Sequence, residues 1–370
     1  MKNFFCIFLL IATCFLSGCF NYNDIDKVTF ATSVIVDTNL NKNAIVYVEA
    51  FKSEKSGGTS SGTGKKITFK SSGKTLFEAL RNMNMSAGNK INFTQVKSII
   101  FTQKAAEEGL YNFVDFFGRD QEFMIRSNIA ILNGDPEKFI KLNLSENKYI
   151  GLFIYDLIHN IPASSRTVIT TLNDFLNKAY TKQGTAVITM IEQKKDQPEP
   201  KIEVINGAVI KKGKMVDIIN GRYGEGYNFL IDNIKGGSLE VTNPYSANNF
   251  ITLEILKSKT KTKIYYEDNR ILVKKIIKVK TTIAEVQNYI DLNNATREKI
   301  EQYAQKNIAN ACNNVFKTYK SKNLDIFNID EDFERKYPKI NIKDPIKKST
   351  LQVEVDVNLE GSSTKTNFRE

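Results

Sequence analysis

The chain has 370 residues, 41% of them hydrophobic and 25% charged, which excludes a disordered or collagen-like protein and allows sizeable cores. Its 52 basic and 41 acidic side chains leave a formal charge of +11, but 43 of the bases are lysine and nine arginine. Nucleic-acid sites lean on the arginine fork, so this excess reads as a lysine-rich solvated surface, with no nucleic acid as partner.

Residues 1–3 (MKN) are a short positive start, and residues 4–16 form an almost wholly apolar run. Thirteen residues are too few to span a bilayer as a helix, which needs about 20, but suit the core of a secretory signal. The run ends in Leu16-Ser17-Gly18-Cys19, which resembles the bacterial lipobox. That likeness implies a signal peptide over 1–18, cleavage before Cys19 and a diacylglyceryl group on its sulfur. Two acyl chains hold a membrane stably where one is marginal. Processing would remove Cys6 and Cys14, leaving Cys312 without a disulfide partner. No later stretch is apolar enough to cross a bilayer, so the expected protein is tethered to a membrane rather than threaded through it.

After a polar tether, residues 28–36 and 44–51 (AIVYVEAF) read as paired strands. Residues 53–64 (SEKSGGTSSGTG) are a flexible Gly/Ser/Thr loop. A phosphate loop ending at Gly64-Lys65 would need Gly at 59 and Ser or Thr at 66, where Thr59 and Lys66 stand. Thr75-Leu-Phe-Glu78 is a capping box that opens a helix to about Met85. A strand is expected over 92–102, and a helical segment broken by Gly109 over 104–117. Then come a strand over 127–132, a short helix opened by Asp135-Pro136, a helix over 166–181 and a strand over 185–192.

Residues 194–200 (KKDQPEP) carry charge and two prolines, and are the best domain boundary. It divides an N-terminal region, 19–193, from a C-terminal domain, 201–370. Strands follow at 201–210, 214–219, 250–256, 261–266 and 272–281. The clearest helix is 298–319, where Ile300, Tyr303, Ala304, Ile308, Ala311, Cys312, Val315 and Phe316 recur at three- and four-residue spacing. Residues 351–359 (LQVEVDVNL) alternate as a final strand. Strands and helices alternate without a regular βαβ repeat, so the expected class is α+β, with mixed or antiparallel sheets and packed helices.

These elements, in this order, resemble the Ger(x)C family of lipoproteins, the C subunits of bacterial spore germinant receptors. The likeness starts at Cys19 and Asp24-Ile25 and continues in Gly73-Lys-Thr75-Leu-Phe-Glu78-Ala79. It runs on through Gly109-Leu110, Asp115-Phe116 and Arg119-Asp120, then Gly207-Ala-Val-Ile-Lys-Lys-Gly213, and ends in Asp325-Ile-Phe through Tyr337-Pro338. Members usually carry Trp after the lipid-bearing Cys, where Phe20 stands here, and often a His in the strand where Gln95 stands. The resemblance implies a non-catalytic, lipid-anchored subunit on the outer face of the spore inner membrane. It would act with receptor A and B subunits to trigger germination, with no cofactor. It also implies a three-part fold, with the N-terminal region split into two small α+β units.

The remaining candidates weigh toward structure. Four cysteines and a single histidine, His159, lack the spacing of a zinc site. His159 lies in an apolar stretch before Pro162, with no nucleophile placed near it by any motif, and reads as a partly buried imidazole. Arg119-Asp120 reads as an ion pair with turn contacts that fix a helix-to-strand connection. Glu203, Asp217, Glu225 and Glu240 have no spacing that defines an acid and base pair. Lys274, Lys278 and Lys280 share one face of a strand, by default a solvated one, with a headgroup-facing role open. The rival class is a lipid-anchored solute-binding protein of an importer, which would show two similar α/β lobes; the chain has no such repeat.

Overall fold

The computed structural model describes residues 27–52, 64–145, 147–159, 165–182, 184–194, 198–360 and 367–368. Cys19 and residues 53–63 of the Gly/Ser/Thr loop lie outside these residues. The described residues form an α+β fold with ten helices and fifteen strands in three sheets.

The first sheet is built from β1 (Val28–Thr38), β2 (Ala44–Lys52), β3 (Lys65–Gly73), β4 (Lys90–Asn92), β5 (Ser98–Thr102), β6 (Asn128–Leu132), β7 (Thr185–Lys194), β8 (Lys201–Lys211) and β9 (Lys214–Ile219). Its order is β3-β2-β1-β5-β6-β7-β8-β9, with β4 beside β1. The steps β1–β5–β6–β7 and the pairing of β4 with β1 are parallel, and the others antiparallel. Helices cover both faces, which is why β5 and β6 are buried at every position and β1 at most of its positions. On one face lie α1 (Leu76–Ser86), α2 (Gln103–Glu108), α3 (Tyr111–Arg119) and α6 (Leu172–Ala179), packed on Val34, Val36 and Ile99. On the other lie α4 (Pro136–Ile140) and α5 (Ile150–His159), packed on Ile35, Ile100 and Leu132.

Several expectations change in detail. The strand expected over 92–102 is two pieces, because Phe93 to Val96 turns, with the Val96 amide donating to the Phe93 carbonyl at 3.1 Å. The helix expected over 166–181 shortens to α6, which starts at a reciprocal capping box between Thr171 and Asp174. The Thr75 hydroxyl caps Glu78 at 3.1 Å as expected, but the Glu78 carboxylate reaches the Lys74 amide at 2.7 Å. Across 194–200 the sheet continues: β7 and β8 pair from Lys194↔Lys201 inward, so strands from both sides of the expected boundary share one sheet.

The second sheet is β10 (Ser238–Asn243), β11 (Ser246–Glu267), β12 (Arg270–Val286) and β14 (Ser349–Leu359), in that order. β12 and β14 pair in parallel, joined through α8 (Asn294–Ser321), α9 (Ile329–Lys336) and α10 (Pro345–Lys348). Together with α7 (Gly221–Leu230), α8 buries one face of this sheet through Ile300, Ile308, Cys312 and Val315. Short β13 (Ile290–Asp291) pairs with β15 (Asn367–Phe368). The expected helix over 298–319 is therefore present and extends by four residues at its start, where Asn293 caps the Thr296 amide at 2.9 Å.

Candidate functional site

The polar chemistry concentrates where the two halves of the chain meet. The chain turns out of α8 and enters α9 through Asn328, held in the left-handed conformation at φ 62°. Asp325, only 6% exposed, bridges this turn: its carboxylate accepts from the Phe327 amide at 3.1 Å and the Asp330 amide at 2.7 Å. It thereby satisfies an amide at the start of α9 that the helix itself leaves free. Asp330 is buried as well, and its Oδ1 has no hydrogen-bond partner. Burial raises the pKa of both acids, and the Asp325 charge adds to the rise at Asp330.

Two lysines stand around this pair. Lys275 of β12 is 3% exposed and points inward, donating to the Leu230 carbonyl at 2.7 Å and to Thr262 Oγ1 at 2.8 Å. Burial lowers its pKa, opposed chiefly by the charges of Asp332 and Asp325. Lys178 of α6, from the other half, has its pKa lowered by burial too, against the charges of Asp174, Asp325 and Glu331. A cleft of about 190 Å³ opens here between Lys178, Thr181, Lys182, Asp325, Asn328 and Asp330. Lys182 closes its rim with an ion pair to Glu334 at 3.1 Å. The motif Asp325 to Pro338 thus sets α9 facing α6 across this cleft.

Direct bonds also tie this part of the chain to the first sheet and to the N-terminal region. Lys211 donates to the Asn323 carbonyl at 3.0 Å, and the Tyr319 hydroxyl donates to the Ile218 carbonyl at 3.2 Å. Asn228 of α7 donates to the carbonyls of Ser165 and Thr167 at 2.8 and 2.9 Å.

A second buried acid works inside the first sheet. Glu49 is fully buried and accepts from the Ile150 and Gly151 amides at 2.9 and 3.0 Å, from Thr32 at 2.7 Å, and pairs with Lys66 at 3.0 Å. It therefore caps α5 from β2, about one hundred residues away in sequence. Gly151 permits that closeness, since a Cβ there would meet the Thr32 carbonyl oxygen at 2.3 Å.

The sequence candidates scatter. His159 is exposed, not partly buried: its ring stacks on Tyr155 at 3.9 Å between centroids and its Nδ1 contacts the Tyr155 carbonyl at 2.8 Å. Its position at the end of α5 turns it to solvent. Arg119 pairs with Asp115 one turn back at 2.8 Å, while Asp120 accepts from the Glu122 amide at 2.8 Å. The two residues fix the turn separately rather than pairing with each other. Glu203 pairs with Lys194 at 3.2 Å, Glu240 with Arg166 at 3.5 Å and Asp217 with Lys322, so no acid and base pair forms from them. Lys274, Lys278 and Lys280 do share the outer face of β12, whereas Lys275 faces the core. Cys312 is fully buried, its thiol aimed at the Gly226 carbonyl at 3.7 Å, and burial pushes its pKa well up, which leaves it unreactive. Among the described residues no group of three or more His, Cys, Asp or Glu side chains could hold a metal. No described helix is long and apolar enough to cross a membrane.

The buried acids were not legible as a site in the sequence. Asp325 stood in a recognised motif, but nothing marked Asp330 or Lys178 as its neighbours.

Comparison with known proteins assigns this architecture. A family model described as the spore germination protein N-terminal domain matches residues 21–193, and one described as spore germination B3/GerAC like, C-terminal, matches 205–363. The chain belongs to the Ger(x)C family. Among its Ger(x)C relatives, spore germination protein GerQC of Bacillus cereus is 26% identical over 321 residues, covering 86% of this chain and 87% of that one. Spore germination protein B3 of Bacillus subtilis (strain 168) is 25% identical over 288 residues, covering 76% and 74%. The crystal structure of the GerBC protein superposes with a TM-score of 0.57 at 14% identity, over 92% of this chain and 99% of that one, so the two share a fold. The Asp325 to Pro338 segment lies within the C-terminal Ger(x)C match, and Glu49 within the N-terminal one.

Proposed function

We propose that this chain is a non-catalytic, lipid-anchored subunit of a spore germinant receptor. It would be held through Cys19 at the outer face of the spore inner membrane, and would act with an A and a B subunit to trigger germination by nutrients. The observation that carries this reading is the tandem match of both Ger(x)C regions, in order, behind the Leu16-Ser17-Gly18-Cys19 motif. The dispersal of the polar side chains supports it, since Glu203, Asp217 and Glu240 each serve an ion pair and Glu49 caps a helix. A protein of this kind works through its surfaces. A tether would confine those surfaces to the membrane plane and raise the effective concentration of a membrane partner, so modest contacts suffice.

The test is a Cys19→Ala allele in spores that depend on this receptor. Loss of the protein from the inner-membrane fraction, together with loss of nutrient-triggered germination, is the expected result. Normal germination with the variant still in that fraction would overturn both the anchor and the receptor role.

A further inference from the structure

The outer face of the second sheet carries charge in an arrangement that folding alone disfavours. On β11 the outward positions Lys257, Lys259, Lys261 and Lys263 follow at every second residue, all exposed. The antiparallel register sets Lys257 opposite Lys280, Lys259 opposite Lys278 and Lys263 opposite Lys274 on β12. Like charges directly opposite each other across two strands repel and cost stability. Relief is partial. Lys274 and Lys278 pair with Glu354 and Asp356 of β14, Lys280 with Glu360, and Lys259 with Asp232. Lys257, Lys261 and Lys263 pair with no carboxylate among the described residues, and β11 has no acidic residue from 255 to 266.

Edge protection does not explain this pattern. Beyond Glu254 the free side of β11 has no strand partner, and a lysine or two would guard it against stray pairing. The opposing lysines, however, sit on β12, which is an interior strand between β11 and β14. The row is also flanked by apolar surface: Leu256 and Tyr265 are 48% and 44% exposed, and the Lys336 ammonium lies 4.9 Å from the Tyr265 ring centre.

We infer that this lysine face docks on an anionic lipid bilayer. The four β11 lysines span about 20 Å of strand at about 3.3 Å per residue, and the second row lies roughly 5 Å away. The result is a double row of point charges without an arginine in it, suited to a diffuse anionic surface rather than to base edges or a bidentate acid. Tyrosine beside lysine is the pairing found at bilayer interfaces. The inference rests on the reading that the chain works at a membrane, and it adds which face turns toward the lipid.

The experiment uses the purified full-length chain and vesicles of phosphatidylcholine with or without phosphatidylglycerol. Insertion of the apolar N-terminus would appear on both vesicle types, so the quantity read is the anionic increment in binding. One variant is Lys257→Gln/Lys259→Gln/Lys261→Gln/Lys263→Gln. A control with the same change in net charge, Lys299→Gln/Lys306→Gln/Lys317→Gln/Lys339→Gln, removes exposed lysines elsewhere. Each lysine near an anionic surface is worth about fivefold, so the β11 variant should lose at least about tenfold of the increment. The control should lose much less, and salt should suppress the increment in the native chain. A thermal midpoint at or above that of the native chain would show that the β11 variant folds, since the substitutions relieve repulsion. Equal losses in both variants would make the increment a net-charge effect and overturn the inference, as would no loss in either. Binding of duplex DNA lost in the β11 variant, with no anionic increment on vesicles, would move the face to a polyanion. Vesicle binding is independent of the Cys19→Ala germination result, so either reading can fail while the other stands.

Discussion

At the scale of single residues, the buried carboxylates decide how this molecule responds to pH. Burial pushes Glu225 up to about 7, with the Arg166 charge opposing and the Glu240 charge adding, and its Oε1 has no hydrogen-bond partner. An unfolded glutamate titrates near 4.3, so between about 4.3 and 7 the folded chain holds a proton that the unfolded chain releases. That contribution to stability is present at low pH and lost as pH rises through the folded value. Glu225→Gln keeps the shape without the charge. It should raise stability by only about 1 kcal/mol at pH 5 and by roughly 3 kcal/mol at pH 8, read by melting both proteins across the range. A stabilisation of the same size at both pH values would show that burial of charge is not its cause. The sequence offered Glu225 as one of several acids without a role. Its environment includes Arg166, which lies far back in the chain beyond β7, β8 and β9, and local spacing does not report that.

At the scale of elements, legibility followed the period of the apolar pattern. α8 and β14 were readable because their buried residues repeat at the helical and strand periods over many positions. α7 was not, because Gly221, Gly224 and Gly226 argue against a helix by propensity. The packing shows why glycine stands there. A Cβ at Gly226 would lie 2.3 Å from the Ala311 carbonyl oxygen, and one at Gly224 would lie 2.2 Å from the Arg166 carbonyl oxygen. Close approach of α7 to α8 outweighs the intrinsic cost of glycine in a helix. Gly226→Ala should therefore force the two helices apart and destabilise the chain by about 1–3 kcal/mol in urea unfolding. Gly88→Ala, with nothing within 4 Å of the new methyl, should change little. Equal behaviour of the two would mean the helices give way freely. The division of 92–102 into two strands was also beyond the sequence, since NFTQVKSIIFT alternates well enough to read as one strand while the Phe93 turn interrupts it.

At the scale of the whole molecule, a run rich in charge and proline was readable as a boundary, and the continuity of the sheet across it was not. β8 and β9 follow residues 194–200 in sequence, yet complete the sheet that begins with β1. A chain stopped at residue 194 would leave β7 as an open edge and remove Ala208 and Ile210 from the first sheet's core. Such a fragment should be insoluble on expression, whereas one ending after Ile219 should be recovered with the first sheet's strand content by circular dichroism. A soluble, cooperatively melting fragment 21–194 would contradict this. The parallel pairing of β12 with β14 carries a consequence in time. Ile271 meets Ser349, seventy-eight residues later in the chain, and the pairing runs on to Leu359. A polypeptide emerging amino-terminus first, from a ribosome or through a translocation pore, can finish its first sheet early. It must keep the whole of β12 waiting until β14 appears, which makes the late-closing half the one most exposed to misassembly during biogenesis.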